Sequence, residues 1–369
     1  MKNNYYIFGA HPRGYTMYQY LRTLEPDRKN LGFLFDNEEK NPGEVEGVRV
    51  YDLGNTDPGN LDLSAVVYIA TRGIFHEHIK GVLLVAGFAS ENIISVTPQL
   101  DTKLRNEYVE KIYKSEGRTF EKLSMDEDAT EPADEELGCG DACIYVAKNA
   151  YDKDFSEEVS LKEYEAIIQA GTILADSRLD DAAFYDDRGE NISDRNRQFC
   201  ELTALYWIWK NAKQEVIGLE HWRRRFLLPD NWMERLESGK IDVILSVPLC
   251  VMPSLEGNYK SRHDRTVWDK MVTILKELYP EDGEAAERFF REKNLYSPCN
   301  MIIARREVLR DYCDWLFPIL LRLNDEIGAL EDAYQNRYPG FISERLLNYY
   351  FDKRRDILHI VYADKSFLN

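Results

Sequence analysis

No apolar run in the 369 residues approaches the ~20 residues a membrane-spanning helix requires, and Met1-Lys2-Asn3-Asn4 passes directly into a strand-like segment rather than a basic, then apolar leader. The expectation is a cytoplasmic protein, reaching a membrane face only through a partner. Basic residues are in deficit: 47 Lys and Arg oppose 65 Asp and Glu, a net charge of -18. That balance excludes general nucleic-acid binding, which needs a basic footprint, and disfavours docking on anionic lipid. Cysteine is scarce, with six residues in all. Cys139 and Cys143 form a Cys-x-x-x-Cys with no second ligand pair at zinc spacing nearby, so reduced, mostly buried thiols are expected.

What is present describes an α/β protein of two domains. Hydrophobic residues make up 44% and charged residues 30%, an ordinary globular balance, and the length suits two cores. Residues 1–118 alternate strand and helix signals: apolar strand runs at 5–10, 31–36, 65–70 and 92–96, with helical spacing over 15–24 and 75–86. This rhythm predicts a small Rossmann-like parallel sheet with helices on its faces. Residues 119–140 turn acidic, with Met125-Asp-Glu-Asp-Ala-Thr-Glu-Pro at their centre, and read as a solvated linker. Residues 141–369 form the second domain, with strands expected at 142–147, 216–219, 242–247, 300–304 and 357–362 and a long helix over 307–326.

In the first domain, Gly9-Ala10-His11-Pro12-Arg13-Gly14 has dinucleotide-fingerprint spacing, but His11 stands where a glycine normally lets the backbone approach a pyrophosphate. NAD is therefore not expected, although Asp36 occupies the place of a ribose-binding acid. The domain is similar to the small Rossmann-like domains of sugar acyltransferases and nucleotide-sugar enzymes. A structural or regulatory role is preferred to a catalytic one.

The densest chemistry lies in residues 191–226. Ser193 reads as the N-cap of a helix whose apolar face carries Phe199, Leu202, Tyr206 and Trp209, and Asn191, Ser193 and Asn196 stand at its start, where an anion is favoured. A buried strand follows (Val216, Ile217, Leu219), ending in Glu220-His221-Trp222-Arg223-Arg224-Arg225. Ligands of open α/β sheets bind beyond the carboxyl ends of strands. If the strand continues, Arg223 and Arg225 share a face with His221, and Arg224 shares one with Glu220. Asp186 and Asp187 read as a polar turn or as ribose or metal contacts. Glu201 reads as a buried ion-pair partner or a catalytic carboxylate. Tyr206, Trp207 and Trp209 read as core.

These residues carry a resemblance. Asn191-Ile192-Ser193, the helix from Glu201-Leu202-Thr203 through Tyr206-Trp207-Ile208-Trp209-Lys210-Asn211, and Gly218-Leu219-Glu220-His221-Trp222-Arg223-Arg224-Arg225-Phe226 are similar to the glycosyltransferase-like domain of bacterial capsular and other surface-polysaccharide clusters. That family has long been catalogued as a domain of unknown function. Asn300-Met301-Ile302-Ile303, Tyr312-Cys313-Asp314-Trp315 and Gly340-Phe341-Ile342-Ser343-Glu344-Arg345 extend the match in order, over roughly residues 140–369. Trp222 replaces the family's Tyr, and Val146-Ala147-Lys148 replaces Thr-His-Lys. The resemblance implies a GT-A-like α/β glycosyltransferase domain, a nucleoside-diphosphate-sugar donor, and a glycan or lipid-linked glycan acceptor. On that reading His221 is catalytic, and Arg223, Arg225, Asn191, Ser193, Asn196 and Lys148 bind the donor phosphates. Glu344, expected to open the last helix after Gly340, is the catalytic base or a sugar contact facing the cleft, or else a favourable charge at a helix start. Asn300 and Arg345 bind the acceptor sugar.

The strand end carries no Asp-x-Asp, so either Glu220 and His221 hold a divalent metal (Mn2+ or Mg2+), or arginines grip the diphosphate directly, the preferred reading. Two other classes compete: a nucleotide-sugar oxidoreductase or epimerase using the first domain, and a non-catalytic glycan- or nucleotide-binding protein.

Overall fold

A computed structural model describes residues 4–36, 41–125, 141–153, 155 and 159–368. The chain forms two compact units, Met1–Phe120 with Cys250–Met252, and Glu121–Leu249 with Pro253–Asn369. Most of the acidic stretch read as a linker lies outside the described residues. Its beginning is strand: Lys122–Leu123 pair in parallel with Ile360–Ala363 of the second unit.

In the first unit, Tyr5–Phe8 runs parallel between Asn30–Phe35 and Val66–Ile69. Val48–Asp52 and Ile93–Ser95 extend the sheet in parallel, and Glu44–Val45 closes one edge antiparallel. Alternate residues feed two cores. Tyr6, Phe8, Leu34 and Ile69 pack on one face with Ile79 and Leu83, while Tyr5, Ile7 and Phe33 pack on the other with Met17 and Leu21. Burial on both faces is why these strands read as unbroken apolar runs. The first helix starts at Pro12, three residues before its apolar spacing begins, because proline at the first turn lacks an N–H that would go unpaired there. Gly14 lets that helix sit on the sheet: a Cβ there would lie 1.8 Å from the Gly9 carbonyl oxygen.

The second unit is built on a mixed sheet in the order Phe184–Tyr185, Glu165–Gln169, Ala142–Lys148, Val216–His221, Ile302–Arg305, Val243–Ser246, Ile360–Ala363, Lys122–Leu123. Ile302–Arg305 alone on this path runs antiparallel to its neighbours. Val216–His221 is central and buried, and Gly218 keeps its neighbours close, since a Cβ there would meet Ile303 Cγ1 at 2.9 Å. One face packs Ile144, Val216, Ile244, Ile303 and Val361 against Trp232 and Leu236. Helices Leu202–Asn211 and Arg306–Ile327 pack on each other through Trp209 stacked on Phe317 at 5.3 Å and Tyr206 edge-on to Phe317 at 5.0 Å. Trp207 lies against Tyr145 and Phe184. These three aromatics are packing residues.

Candidate functional site

The central strand does not run on through the arginines. Trp222 and Arg223 form a two-residue turn, and Arg224–Phe226 returns antiparallel with His221 opposite Arg224. Lys365–Phe367 then adds a strand outside it, pairing Arg224 with Phe367 and Arg225 with Ser366. Residues opposite one another in an antiparallel pair share a face. The continuous-strand expectation is therefore inverted: Arg224 joins His221, and Arg225 joins Glu220.

Arg225 is 6% exposed, and its Nη1 donates to Glu165 Oε2 at 2.7 Å, with Glu220 Oε2 at 3.9 Å. Glu220 accepts from the Phe226 backbone N–H at 2.6 Å, and burial pushes its carboxyl up to about 8. This is an internal ion cluster, which removes Arg225 from the phosphate-binding set. It also overturns Glu220 and His221 as a metal pair, since adjacent strand residues point to opposite faces. Among the described residues no three His, Cys, Asp or Glu side chains converge as a metal site. Arg223, at the turn, donates to the carbonyls of Lys153 (2.7 Å) and Leu368 (3.4 Å) and lies over Phe155.

On the opposite face a polar cluster gathers at the carboxyl end of the central strand. His221 Nε2 donates to the Cys299 carbonyl at 2.5 Å, so its Nδ1, 3.5 Å from Arg224 Nη1, is the unprotonated nitrogen. Burial lowers the pKa of His221, keeping the ring neutral. The Cys299 N–H donates to Glu344 Oε1 at 2.7 Å, and Glu344 Oε2 accepts from Arg345 Nη1 at 2.9 Å. Asn300 Nδ2 donates to Glu201 Oε1 at 2.9 Å and to the Gly340 carbonyl at 3.2 Å. Among the described residues, five non-glycine positions have positive φ, and three of them are here: Cys200 (49°), Cys299 (77°) and Asn300 (51°). Each such position costs about 1–3 kcal/mol and persists where surrounding contacts over-determine it.

Arg224 has no carboxylate partner among the described residues. Its guanidinium meets His221 Nδ1 and the Phe367 ring, and its Nε is buried without a hydrogen bond. Glu201 is comparable. One oxygen is held by Asn300, and the other makes no hydrogen bond among the described residues. The sequence left Glu201 open between an ion-pair partner and a catalytic carboxylate, and set Arg224 on the face of Glu220 rather than of His221. Glu201 was legible as an acid beside an apolar helix face, whereas Arg224 depended on the turn.

Glu344 does not open its helix. It is the seventh residue of Tyr338–Arg354, largely buried, with both oxygens engaged and its carboxyl raised mainly by burial. Arg345, 3% exposed, is spent on the Phe341 carbonyl, Asn258 Oδ1 and Glu344. Glu344 braces the Cys299 backbone, and Arg345 holds Glu344 in place.

The expected anion site at Ser193 is not formed. Residues 193–195 are a 3-10 turn, Asn196–Phe199 is a four-residue helix, and the chain breaks at Cys200 before Leu202–Asn211. Ser193 Oγ donates to Asp186 Oδ1 at 2.6 Å. Asp186, wholly buried, also accepts from the N–H groups of Gly171 and Thr172 and from Thr203 Oγ1 at 2.6 Å, which is neither a polar surface turn nor an open ligand. Asn196 Nδ2 donates to the Cys200 carbonyl (2.8 Å) and Thr203 Oγ1 (2.9 Å). Asn191 bridges the Gly189 carbonyl and the Ser193 N–H, and Asp187 pairs with Arg178. Lys148 Nζ pairs with Asp181 at 2.7 Å and lies 3.9 Å above Trp222. Asp186, Asn196 and Thr203 thus hold the break at Cys200 that delivers Glu201.

The second unit is an α/β domain consistent with GT-A-like architecture. Residues 149–355 match the model of a domain of unknown function, DUF4422, and the chain belongs to that family. The apo structure of WbbM, a bifunctional glycosyltransferase, is similar with a TM-score of 0.54 and 24% identity, over 62% of this chain and 45% of that one. This chain therefore spans less than half of WbbM. No curated protein matches the sequence. Among the described residues, no helix is long and apolar enough to cross a membrane.

Proposed function

We propose that the chain is a glycosyltransferase that moves a sugar from a nucleoside-diphosphate-sugar donor to a glycan acceptor in surface-polysaccharide synthesis, with Arg224 on the diphosphate and Glu201 as general base. The observation that carries this is that His221, at the carboxyl end of the central strand, lies in the field of both Arg224, a guanidinium with no ion-pair partner among the described residues, and Glu201, a carboxylate with one open oxygen. In the reaction, Glu201 takes the proton of an acceptor hydroxyl whose oxygen bonds to the anomeric carbon. The bond from that carbon to the diphosphate oxygen breaks, and the charge that develops on the leaving group is met by Arg224. Neutral His221 leaves the guanidinium its full charge for the ligand, and Asn300 orients Glu201. Glu344 and Arg345 are positioning residues for the strained Cys299–Asn300 turn. Glu220 and His221 do not fit a shared metal, and no step is drawn through one. The first unit reads as a Rossmann-like support, with His11 and Pro12 filling the loop where a dinucleotide would approach.

Titration with a panel of nucleoside diphosphates tests the assignment. Arg224→Ala should weaken the best binder by about 1.5–3 kcal/mol, the scale of a charged hydrogen bond. Arg224→Lys should recover only part of that, because a point charge lacks the bidentate fork. Full affinity in a folded Arg224→Ala protein would remove the diphosphate role.

A further inference from the structure

Beside the Glu201–Asn300 pair lies an aromatic surface that the proposed chemistry does not use. Tyr334, in the turn before residues 335–337, is 55% exposed. Its ring sits 5.0 Å from that of Phe341, and His263 stacks on Phe341 at 4.2 Å with 22° between planes. His263 also lies near-parallel to Tyr334, at 5.8 Å and 27°. The imidazole is fixed from behind: its Nδ1 donates to Gln335 Oε1 at 3.3 Å, and Gln335 in turn donates to the Arg262 carbonyl. Burial lowers the His263 pKa to about 4, so at neutral pH it is an uncharged flat ring.

The patch is continuous with the candidate site. Phe341 follows Gly340, whose carbonyl accepts from Asn300, and a Cβ on Gly340 would lie 4.0 Å from Glu201 Oε1. Arg337 spans the gap: its guanidinium lies over Phe341 at 5.8 Å, and its Nε donates to Cys200 Sγ at 3.1 Å, one residue from Glu201. Glu201 acts on Arg337 at a distance, but no carboxylate is within ion-pairing reach of it among the described residues, so its terminal N–H groups can donate to hydroxyl oxygens.

We propose that Tyr334 and Phe341 form the platform on which a pyranose of the acceptor glycan stacks, with Arg337 donating to its hydroxyls. The inference rests on the transferase reading for the word acceptor. A pyranose offers an apolar C–H face and a rim of hydroxyls, and this surface pairs the exposed Tyr334 ring and the half-buried Phe341 ring with a planar donor in the same way. Its position one residue from the Glu201–Asn300 contact would bring the next hydroxyl of the chain to the base.

Glycan capture is measured without donor, on an array of immobilised pyranose oligosaccharides, with nucleosides and nucleoside diphosphates titrated separately. The wild-type chain should capture at least one glycan, Tyr334→Ala should lose that signal about tenfold or more, and Tyr334→Phe should retain it. Nucleoside-diphosphate affinity should be unaffected by either change. The platform is overturned if Tyr334→Ala keeps the glycan signal, if the wild type captures no pyranose glycan, or if the variant loses nucleoside affinity instead, which would make the ring a base-stacking surface. Because the array needs no turnover, a chain that binds glycan through Tyr334 but transfers no sugar would refute the transferase reading and leave the platform standing.

Discussion

Glu201→Gln is expected to lower sugar transfer by on the order of 10²-fold or more while leaving nucleoside-diphosphate affinity within about twofold of wild type. Gln keeps the oxygen that accepts from Asn300 Nδ2, so the 2.9 Å contact and the strained Asn300 backbone need not move. What it loses is the capacity to take a proton at the open position. The comparison with Glu344→Gln makes the test sharp. Glu344 holds the Cys299 N–H and Arg345, so its amide should disturb folding stability and both kinetic constants together rather than turnover alone. Single-turnover rates with saturating donor would separate the two. A Glu201→Gln protein that transfers sugar at the wild-type rate would remove Glu201 as the base.

Arg225→Ala is expected to destabilise the second unit by about 3–5 kcal/mol, the cost of leaving the buried Glu165 carboxylate without its cation. Glu165 would lose its 2.7 Å partner and Glu220 its nearest positive charge. Denaturant midpoints measure it, and a change below about 1 kcal/mol would show that the cluster is solvated. The same cluster carries a pH dependence. The Glu220 carboxyl is raised from 4.5 to about 8 by burial, so the folded chain holds a proton that the unfolded chain has released. Its contribution to stability is therefore full below about pH 4.5 and is lost as pH rises towards 8. Glu220→Gln keeps an acceptor for the Phe226 N–H and should flatten the slope of stability between about pH 4.5 and 8. An unchanged slope would mean that Glu220 titrates near its ordinary value.

Arg224 and Arg225 are neighbours in sequence with opposite fates, and that contrast marks the boundary of what the residues disclose locally. Three arginines after an apolar run read as a strand running into solvent. Trp222-Arg223 contains none of the residues that favour a turn, so nothing nearby announces the reversal. It is held instead by pairing with Lys365–Phe367, some 140 positions on. The helix read from Ser193 failed for a related reason. Its apolar spacing is sound from Leu202 onward, but Asn196 grips the Cys200 carbonyl and Thr203, and Asp186 anchors Ser193 and Thr203, so the chain breaks at Cys200.

The sequence by itself determined the central strands of both sheets but not Val48–Asp52, Glu165–Gln169 or the short edge strands, together with the core roles of Tyr206, Trp207 and Trp209 and the segment in which the polar cluster would fall. Those follow from apolar periodicity, which burial imposes on neighbours along the chain. Only the tertiary structure decided which polar groups are spent and which are open. The acid that consumes Arg225 lies 60 residues away, and Glu201 meets Asn300 across 99. A charge is neutralised by whatever is near it in space, and that proximity exists only once the sheet has brought its strand ends together.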